Sequence, residues 1–323
     1  MEFSGHVLLF LFSAGVVWFF AGLLIESTDH LARHFHKNGF IVAFFVLGFI
    51  TSISEISVAV NATIKGVPEI SAGNLVGASF VILLFIIPFL AAIGNKIELR
   101  HTLSRQNLRL ALVTILLPVL FVVDEDLTRI EGVLMLIIYI ALLVAIRGQK
   151  ETISNLKNIK EDLLPKGHPI VRDAAMVVLA GVFIFIAGHF FVEQSVYFAS
   201  ALGVPNSLIG LVLLSLGTNV PEITIAIRSI IKAHKDIAFG DYVGSAVTNT
   251  PIFALLPIVN GTFRVESSEF IATAWLMSLG LIAFYIFARS ERSISRREGF
   301  LLLVFYALFL IVQVWNVFRF AAN

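Results

Sequence analysis

The amino-acid sequence predicts an all-α polytopic membrane protein, with ten transmembrane helices arranged as two inverted five-helix repeats. Three observations carry this reading. The first is composition: of 323 residues, 58% are hydrophobic and 14% charged, with a mean hydropathy of +0.93. Polar surface is therefore too sparse to cover a water-soluble globule, and the bilayer must be the main solvent. The second is a series of apolar runs, each near the ~20 residues that a helix needs to cross the hydrocarbon core. The third is an internal repeat, in which Thr51 to Gly77 aligns with Thr218 to Gly244 at one constant offset and without a gap.

Taken in order, the runs of the first half fall at about 6–25, 40–64, 70–94, 107–123 and 130–147, and those of the second at about 170–191, 204–232, 237–260, 268–288 and 298–318. The first run, Val7 to Ile25, has neither a basic leading region nor a small-residue cleavage site, so it is expected to remain as a span. Alternating the loops between sides gathers Arg33, Lys37, Lys96, Arg100, Arg105, Arg109, the segment 147–172, Arg228, Lys232, Lys235, Arg289, Arg292, Arg296 and Arg297 on one face. Lys65, Arg129, Arg264 and Arg319 fall on the other. The positive-inside rule makes the first face cytoplasmic, which predicts a multi-pass protein of the plasma membrane (a prokaryotic inner membrane) with both termini outside. The one long, strongly charged connection, with Lys150, Glu151, Lys157, Lys160, Glu161 and Asp162, reads as the linker between halves.

A net charge of +1 supports no nucleic-acid footprint. Cysteine is absent, which excludes disulfides and thiol chemistry but says nothing about compartment, and no C-x-x-C or H-E-x-x-H pattern points to zinc. No cofactor is expected. The partners implied are the bilayer and inorganic cations.

The repeat pairs Thr51 with Thr218, Glu55 with Glu222, Lys65 with Lys232, Gly73 with Gly240 and Gly77 with Gly244. Because each half has an odd number of spans, the two copies cross the membrane in opposite directions. That is the inverted topology by which one central site opens alternately to either side. Helix packing alone would account for the Gly-x-x-x-Gly pairs but not for a carboxylate duplicated at one depth. An ionised glutamate at mid-membrane costs at least a few kcal/mol unless paired or facing a polar cavity. Arg228 lies six residues past Glu222, off its helical face, so a bound cation, or protons in its absence, would have to neutralise the two acids.

Oxygen donors cluster around both acids. Thr51 and Thr218 stand one helical turn before Glu55 and Glu222, Ser52 and Asn219 flank the same turns, and Ser245 and Asn249 form a polar stripe on the eighth span. With Ser79 they complete the candidate metal set. Hard cations such as Ca²⁺ take six to eight oxygens in flexible geometry, which suits these residues. Ser54 and Pro221, just before the two glutamates, mark where helix interruptions would expose backbone carbonyls. The domain plan is then 1–147 as the first repeat with its ion-binding motif at 48–82, 148–169 as a cytoplasmic linker, and 170–323 as the second repeat with its motif at 215–249. Three other readings stand beside transport: a protonated pair that only joins helices, a cation channel lined by the duplicated acids, and an intramembrane hydrolase using the paired glutamates as acid and base.

The segments T-S-I-S-E with G-N-L-V-G-A-S, and G-T-N-V-P-E with G-D-Y-V-G-S-A-V-T-N, resemble the paired alpha-repeats of the calcium/cation antiporter superfamily, which includes the sodium/calcium exchangers. The resemblance covers nearly the whole chain. It implies a secondary active antiporter that exchanges Ca²⁺ for Na⁺ or H⁺ by alternating access, with Glu55 and Glu222 at the ion site and Thr51 and Thr218 supplying oxygens. It also implies that the first spans of the two halves, 6–25 and 170–191, slide as a gate. The chain departs from the family pattern at Ser54, where proline is usual, at Ala78, where serine is usual, and at Ile82 and the neutral Asn249, where Asn or Asp is common. The first half of the site is thereby depleted of donors. Na⁺ and H⁺ both remain open as counter-ion: Asn219 resembles the proton-coupled branch, and Pro221 the sodium branch.

Lesser signals are Asp241, read as a solvated helix-start acid or the lining of an ion vestibule; His189 and Glu193, a water-facing pair or a metal or proton-relay site; and a cytoplasmic loop at 29–37 with Asp29, His30, His34 and His36, solvated or a regulatory metal or pH site.

Overall fold

The computed structural model describes residues 3–34, 49, 52–94, 96–98, 104–147, 170–220, 222–223, 226–227, 235–265, 268–290 and 293–321. The linker 148–169 lies outside them. The described chain is helical apart from four two-residue strands. Its first half holds α1 (Phe3–His34), α2 (Ile53–Lys65), α3 (Pro68–Phe80), a π-helical segment Val81–Ile86 running into α4 (Ile87–Gly94), α5 (Arg105–Phe121) and α6 (Arg129–Arg147). The second half holds α7 (Ile170–Leu202), α8 (Asn206–Ile209), a second π-helical segment Gly210–Leu214, α9 (Ser215–Thr218), α10 (Lys235–Asn260), α11 (Ser268–Ser290) and α12 (Arg296–Ala321).

Among the described residues, seven stretches are long and apolar enough to cross a membrane: Phe3–Phe20, Pro68–Gly94, Arg129–Ile146, Val171–Leu202, Tyr242–Asn260, Ile271–Arg289 and Arg296–Asn316. Each lies on a predicted span. The other three predicted spans correspond to α2, α5 and the segment from Asn206 onward, which are shorter within the described residues. Burial separates the helices into a centre and a sheath. Pro68–Gly94 is 83% buried and Tyr242–Asn260 78%, against 39% or less for the other five, so α3, α4 and α10 form the core and the remaining spans turn apolar faces to lipid.

Two boundaries correct the sequence reading. The first and sixth spans, expected to end at 25 and 191, continue as helix to His34 and Leu202. At 1.5 Å per residue α1 and α7 are roughly 50 Å long, well beyond a ~30 Å hydrocarbon core. No glycine or proline interrupts either extension, and polar residues alone do not end a helix. Asp29, His30 and His34 therefore belong to the last turns of α1 rather than to a loop, while His36 lies outside the described residues. Helix α7 stops where its sequence permits: Gly203 takes the left-handed conformation at φ 63°, Val204 N donates to Ala199 O at 2.9 Å, and Pro205 follows. Likewise Gly66 at φ 70° closes α2, and Pro68 opens α3 at the helical position where a missing N–H is harmless.

Helices α1 and α7 lie along one another, joined by Phe10 on Phe191 (ring centroids 5.0 Å), Phe20 stacked on Phe183 (4.2 Å), and His6, which meets Gln194 Oε1 at 2.6 Å. Against α2, α7 presents the Ile184 and Phe185 carbonyls, which accept from Ser57 Oγ at 3.2 and 3.1 Å.

Structural details recur at the repeat offset. Thr128 and Glu131 form a reciprocal cap at the start of α6, with Thr128 N to Glu131 Oε2 at 2.7 Å and Glu131 N to Thr128 Oγ1 at 3.4 Å. Ser295 and Glu298 form the same cap at the start of α12, with the same two distances. Thr128 and Ser295, like Glu131 and Glu298, stand as far apart in the chain as Glu55 and Glu222. The strands obey the same relation: β1 (Ile97–Glu98) pairs with β4 (Ser293–Ile294), and β2 (Asp126–Leu127) with β3 (Phe263–Arg264), so each half supplies one strand to each ribbon.

Candidate cation-binding site

Two helix interruptions organise the centre of the molecule. Ser52, just before α2, has φ −77° and ψ 6°; Asn219, just after α9, has φ −91° and ψ 8°. Both lie in the sparsely allowed bridge region between the helical and extended basins. A helical bond resumes beyond each, with Ile56 N donating to Ser52 O at 2.9 Å and Ile223 N to Asn219 O at 3.1 Å. Glu55 and Glu222 each follow their interruption by three residues. Glu55 thus falls in the first turn of α2, where unsatisfied N–H groups and the helix dipole favour negative charge.

Both carboxylates are buried, as are Ser52, Ser79, Thr218, Asn219, Ser245 and Asn249. Cross-helix contacts among the described residues tie the elements that carry most of them, α2, α10, α3 and α9, into a ring. Ser52 Oγ and Ser245 Oγ stand 3.4 Å apart, joining the start of α2 to α10. Asn249 Nδ2, one turn further along α10, donates to Ser79 Oγ of α3 at 3.3 Å. Thr218 Oγ1 of α9 donates to Asn74 Oδ1 of α3 at 3.3 Å. Ser54 Oγ closes the circuit, 2.8 Å from Glu55 Oε2 and 3.4 Å from the Thr218 carbonyl oxygen. Glu222 joins through its backbone, whose carbonyl accepts from Tyr242 OH of α10 at 3.3 Å.

The circuit leaves acceptor oxygens over. Glu55 Oε1, Asn219 Oδ1 and Asn249 Oδ1 are buried and meet no hydrogen-bond donor among the described residues. A buried acceptor left this way costs about 1–3 kcal/mol, more when charged. Two carboxylates with amide, hydroxyl and interrupted-helix carbonyl oxygens, and no sulfur or imidazole, form the donor set of a hard cation.

Close backbone approach builds the ring. A Cβ at Gly73 would overlap the Ser207 carbonyl oxygen and stand 2.9 Å from Leu211 N; at Gly77 it would overlap the Leu211 carbonyl and meet Ser215 Cβ at 2.7 Å; at Gly210 it would overlap the Ile70 carbonyl. These three glycines let α3 lie against the α8–α9 segment, which brings Asn74 to Thr218. Ala78 and Ile82, the positions depleted of donors, are fully buried.

The family model described as sodium/calcium exchanger protein matches residues 5–147 and 173–315. The chain belongs to the sodium/calcium exchanger family. Its members are membrane ion transporters rather than enzymes, which removes the hydrolase reading. Among relatives, the sodium/calcium exchanger MaX1 of Methanosarcina acetivorans is 35% identical over 145 residues, 44% of this chain and 40% of that one. CaxA of Alkalimonas amylolytica, provisionally named an antiporter, is 27% identical over 299 residues, 87% of this chain and 92% of that one. The solved structure of the sodium-calcium exchanger NCX_Mj, soaked with Na⁺ and Sr²⁺, superposes with a TM-score of 0.67 at 20% identity over 96% of this chain and 99% of that one, a likeness of fold.

Of the residues predicted for the exchanger site, Ser52 meets Ser245, Asn249 meets Ser79, and Glu55 and Thr218 both meet Ser54, while Asn219 and Glu222 are buried at the second interruption. Thr51, Pro221 and Arg228 lie outside the described residues, as does the side chain of Asp241. His189 and Glu193 are exposed on the outer face of α7. Sequence reasoning gave no role to Asn74, and treated Ser54 only as a break. The repeat could have flagged Asn74, since it opposes Asp241 at the repeat offset and so is polar in both copies.

Proposed function

We propose that this exchanger-family protein carries Ca²⁺ across the membrane in exchange for Na⁺ or H⁺, with Glu55 and Glu222 as the charged ligands. The observation that carries the reading is the pair of interruptions at Ser52 and Asn219, each three residues before a buried glutamate. Ser52, Thr218, Asn219, Ser245 and Asn249 supply neutral oxygens around the ion, with Thr51 as the counterpart of Thr218. The matching caps and ribbons at the repeat offset support two five-helix repeats, ten spans in all, and the distribution of Lys and Arg supports inverted orientation with both termini outside the cytoplasmic membrane.

In this mechanism the bound divalent ion neutralises both carboxylates. With their charge cancelled, α1 and α7 slide across the core and expose the site on the opposite side. Release removes the ion that neutralised both carboxylates, and because buried charge is costly, return takes place with Na⁺ or protons on the same oxygens. Competition for one pair of charges makes the process exchange rather than leak, which distinguishes it from a channel.

The test is ⁴⁵Ca²⁺ uptake into proteoliposomes under an outward Na⁺ gradient at clamped pH, and separately under an outward proton gradient without Na⁺. Uptake under one gradient names the counter-ion. Uptake under neither refutes calcium exchange.

A further inference from the structure

The network fixes which end of the Asn249 amide faces the ion. An asparagine side chain presents a carbonyl or an NH₂, and only the carbonyl can hold a cation. Asn249 Nδ2 donates to Ser79 Oγ at 3.3 Å, while its buried Oδ1 meets no donor among the described residues. Ser79 in turn donates to the Leu75 carbonyl one turn earlier on α3, at 3.1 Å. A hydroxyl has a single proton. With that proton held by Leu75 O, Ser79 Oγ can only accept, and only the NH₂ of Asn249 can approach it. The polarity of one backbone carbonyl is thus passed through Ser79 to the amide, which leaves Oδ1 turned away from Ser79. Asn219 carries the same arrangement within one helix: its Nδ2 donates to Ser215 O at 2.8 Å and its Oδ1 is left over.

We infer that Ser79 is a positioning residue rather than a ligand: through its bond from Leu75 O to Asn249 Nδ2 it holds the Asn249 carbonyl oxygen as a donor to the transported divalent cation. This rests on the proposed function, in which Asn249 helps bind Ca²⁺. It also gives Ser79 a role distinct from that of Ser52 and Ser245, whose hydroxyls stand 3.4 Å apart across the site. Because Ala78 and Ile82 contribute no side-chain oxygen, α3 acts on the site through Asn74, which accepts from Thr218, and through Ser79's grip on α10.

The experiment measures ⁴⁵Ca²⁺ exchange against unlabelled Ca²⁺ inside proteoliposomes, a mode that needs no counter-ion. Full-length protein is compared with Ser79→Ala, Asn249→Asp and the double variant, with Ser79→Cys as a near-isosteric variant whose sulfur is a weak acceptor. Freeing the amide should raise the KM for Ca²⁺ roughly tenfold in Ser79→Ala, with kcat changed less than about twofold, as expected when one oriented polar contact is lost. Ser79→Cys should move KM the same way. A carboxylate at 249 has oxygens at both ends and needs no orientation, so in the Asn249→Asp background Ser79→Ala should leave KM unchanged. An equal rise in both backgrounds would mean that Ser79 only supports packing, and no rise in either would mean that it orients nothing; both overturn the inference while leaving calcium exchange intact. Folded wild-type protein that shows no ⁴⁵Ca²⁺ exchange would overturn the proposed function and this inference with it.

Discussion

Ser52 and Asn219, equivalent positions in the two repeats, share one backbone conformation, φ −77° and ψ 6° against φ −91° and ψ 8°. Neither residue is glycine, and the two side chains differ, so the common kink reflects what surrounds it rather than local preference. Ser52 stands just before α2 and Asn219 just after α9, and the carbonyl of each accepts the helical bond next to a glutamate. Bridge-region backbone persists when the surrounding structure over-determines it, and it gathers at functional sites.

The first prediction concerns those glutamates. Glu55→Gln and Glu222→Gln should each abolish ⁴⁵Ca²⁺ exchange. Binding to the folded state stabilises by about 2.7 kcal/mol at a hundred times Kd, so saturating Ca²⁺ should raise the Tm of the wild type. Neither variant should respond, although each should elute as a monodisperse species. A retained calcium response in either would show that its carboxylate is not a ligand.

The second concerns the duplicated caps. Thr128→Ala and Ser295→Ala should each destabilise the protein by about 1 kcal/mol, the usual loss for an N-cap hydroxyl. The two caps share no partner, so the double variant should show the sum. Thermal unfolding in detergent measures this. A much larger loss at one site would show that the two copies have diverged in how far the structure leans on them.

Much of this architecture was legible in the sequence because the repeat constrains it. Identity at Glu55 and Glu222 pointed to two buried carboxylates, and both are buried, as are Ser52, Thr218, Asn219, Ser245 and Asn249. Helix ends were less legible: nothing in local composition stops α1 at residue 25, and only Gly203 and Pro205 halt α7. Asn74 escaped notice because its role depends on the close crossing of α3 with the α8–α9 segment, a contact between residues 144 positions apart. The Ser79 relay was hidden for the same reason, since which end of an amide faces outward depends on a partner in the other half.

The third prediction tests that crossing. A side chain at Gly73 meets the Ser207 backbone carbonyl, which cannot rotate aside, whereas Gly181 in α7 has nothing within 4 Å of an added Cβ. Gly73→Val should destabilise by at least the ~1–3 kcal/mol typical of overpacking and should reduce exchange by separating Asn74 from Thr218. Gly181→Ala should be neutral, or stabilising by up to ~1 kcal/mol through helix propensity. Equal tolerance at both positions, read by Tm, would contradict the packing.

The fourth prediction tests the sliding gate, and the absence of cysteine from the natural sequence makes it direct. If α1 and α7 move together, joining them should be harmless, while joining α7 to the core should stop exchange. Phe10 and Phe191 are in ring contact between α1 and α7. A Cβ at Gly188 of α7 would stand 2.9 Å from Ser57 Cβ of α2, near enough for a disulfide after a small backbone shift toward the usual ~3.8 Å. The Cβ atoms behind two rings in contact stand farther apart than a disulfide spans, so Phe10→Cys/Phe191→Cys is bridged with a short bifunctional thiol reagent, which should leave ⁴⁵Ca²⁺ exchange within about twofold of the unbridged rate. Oxidising Ser57→Cys/Gly188→Cys should lower the rate by at least roughly tenfold, the effect of raising a rate-limiting barrier by ~1.4 kcal/mol or more, and reductant should restore it. Inhibition by the first pair would mean that α1 and α7 part during transport, and full activity of the second, once oxidised, would place the moving element elsewhere.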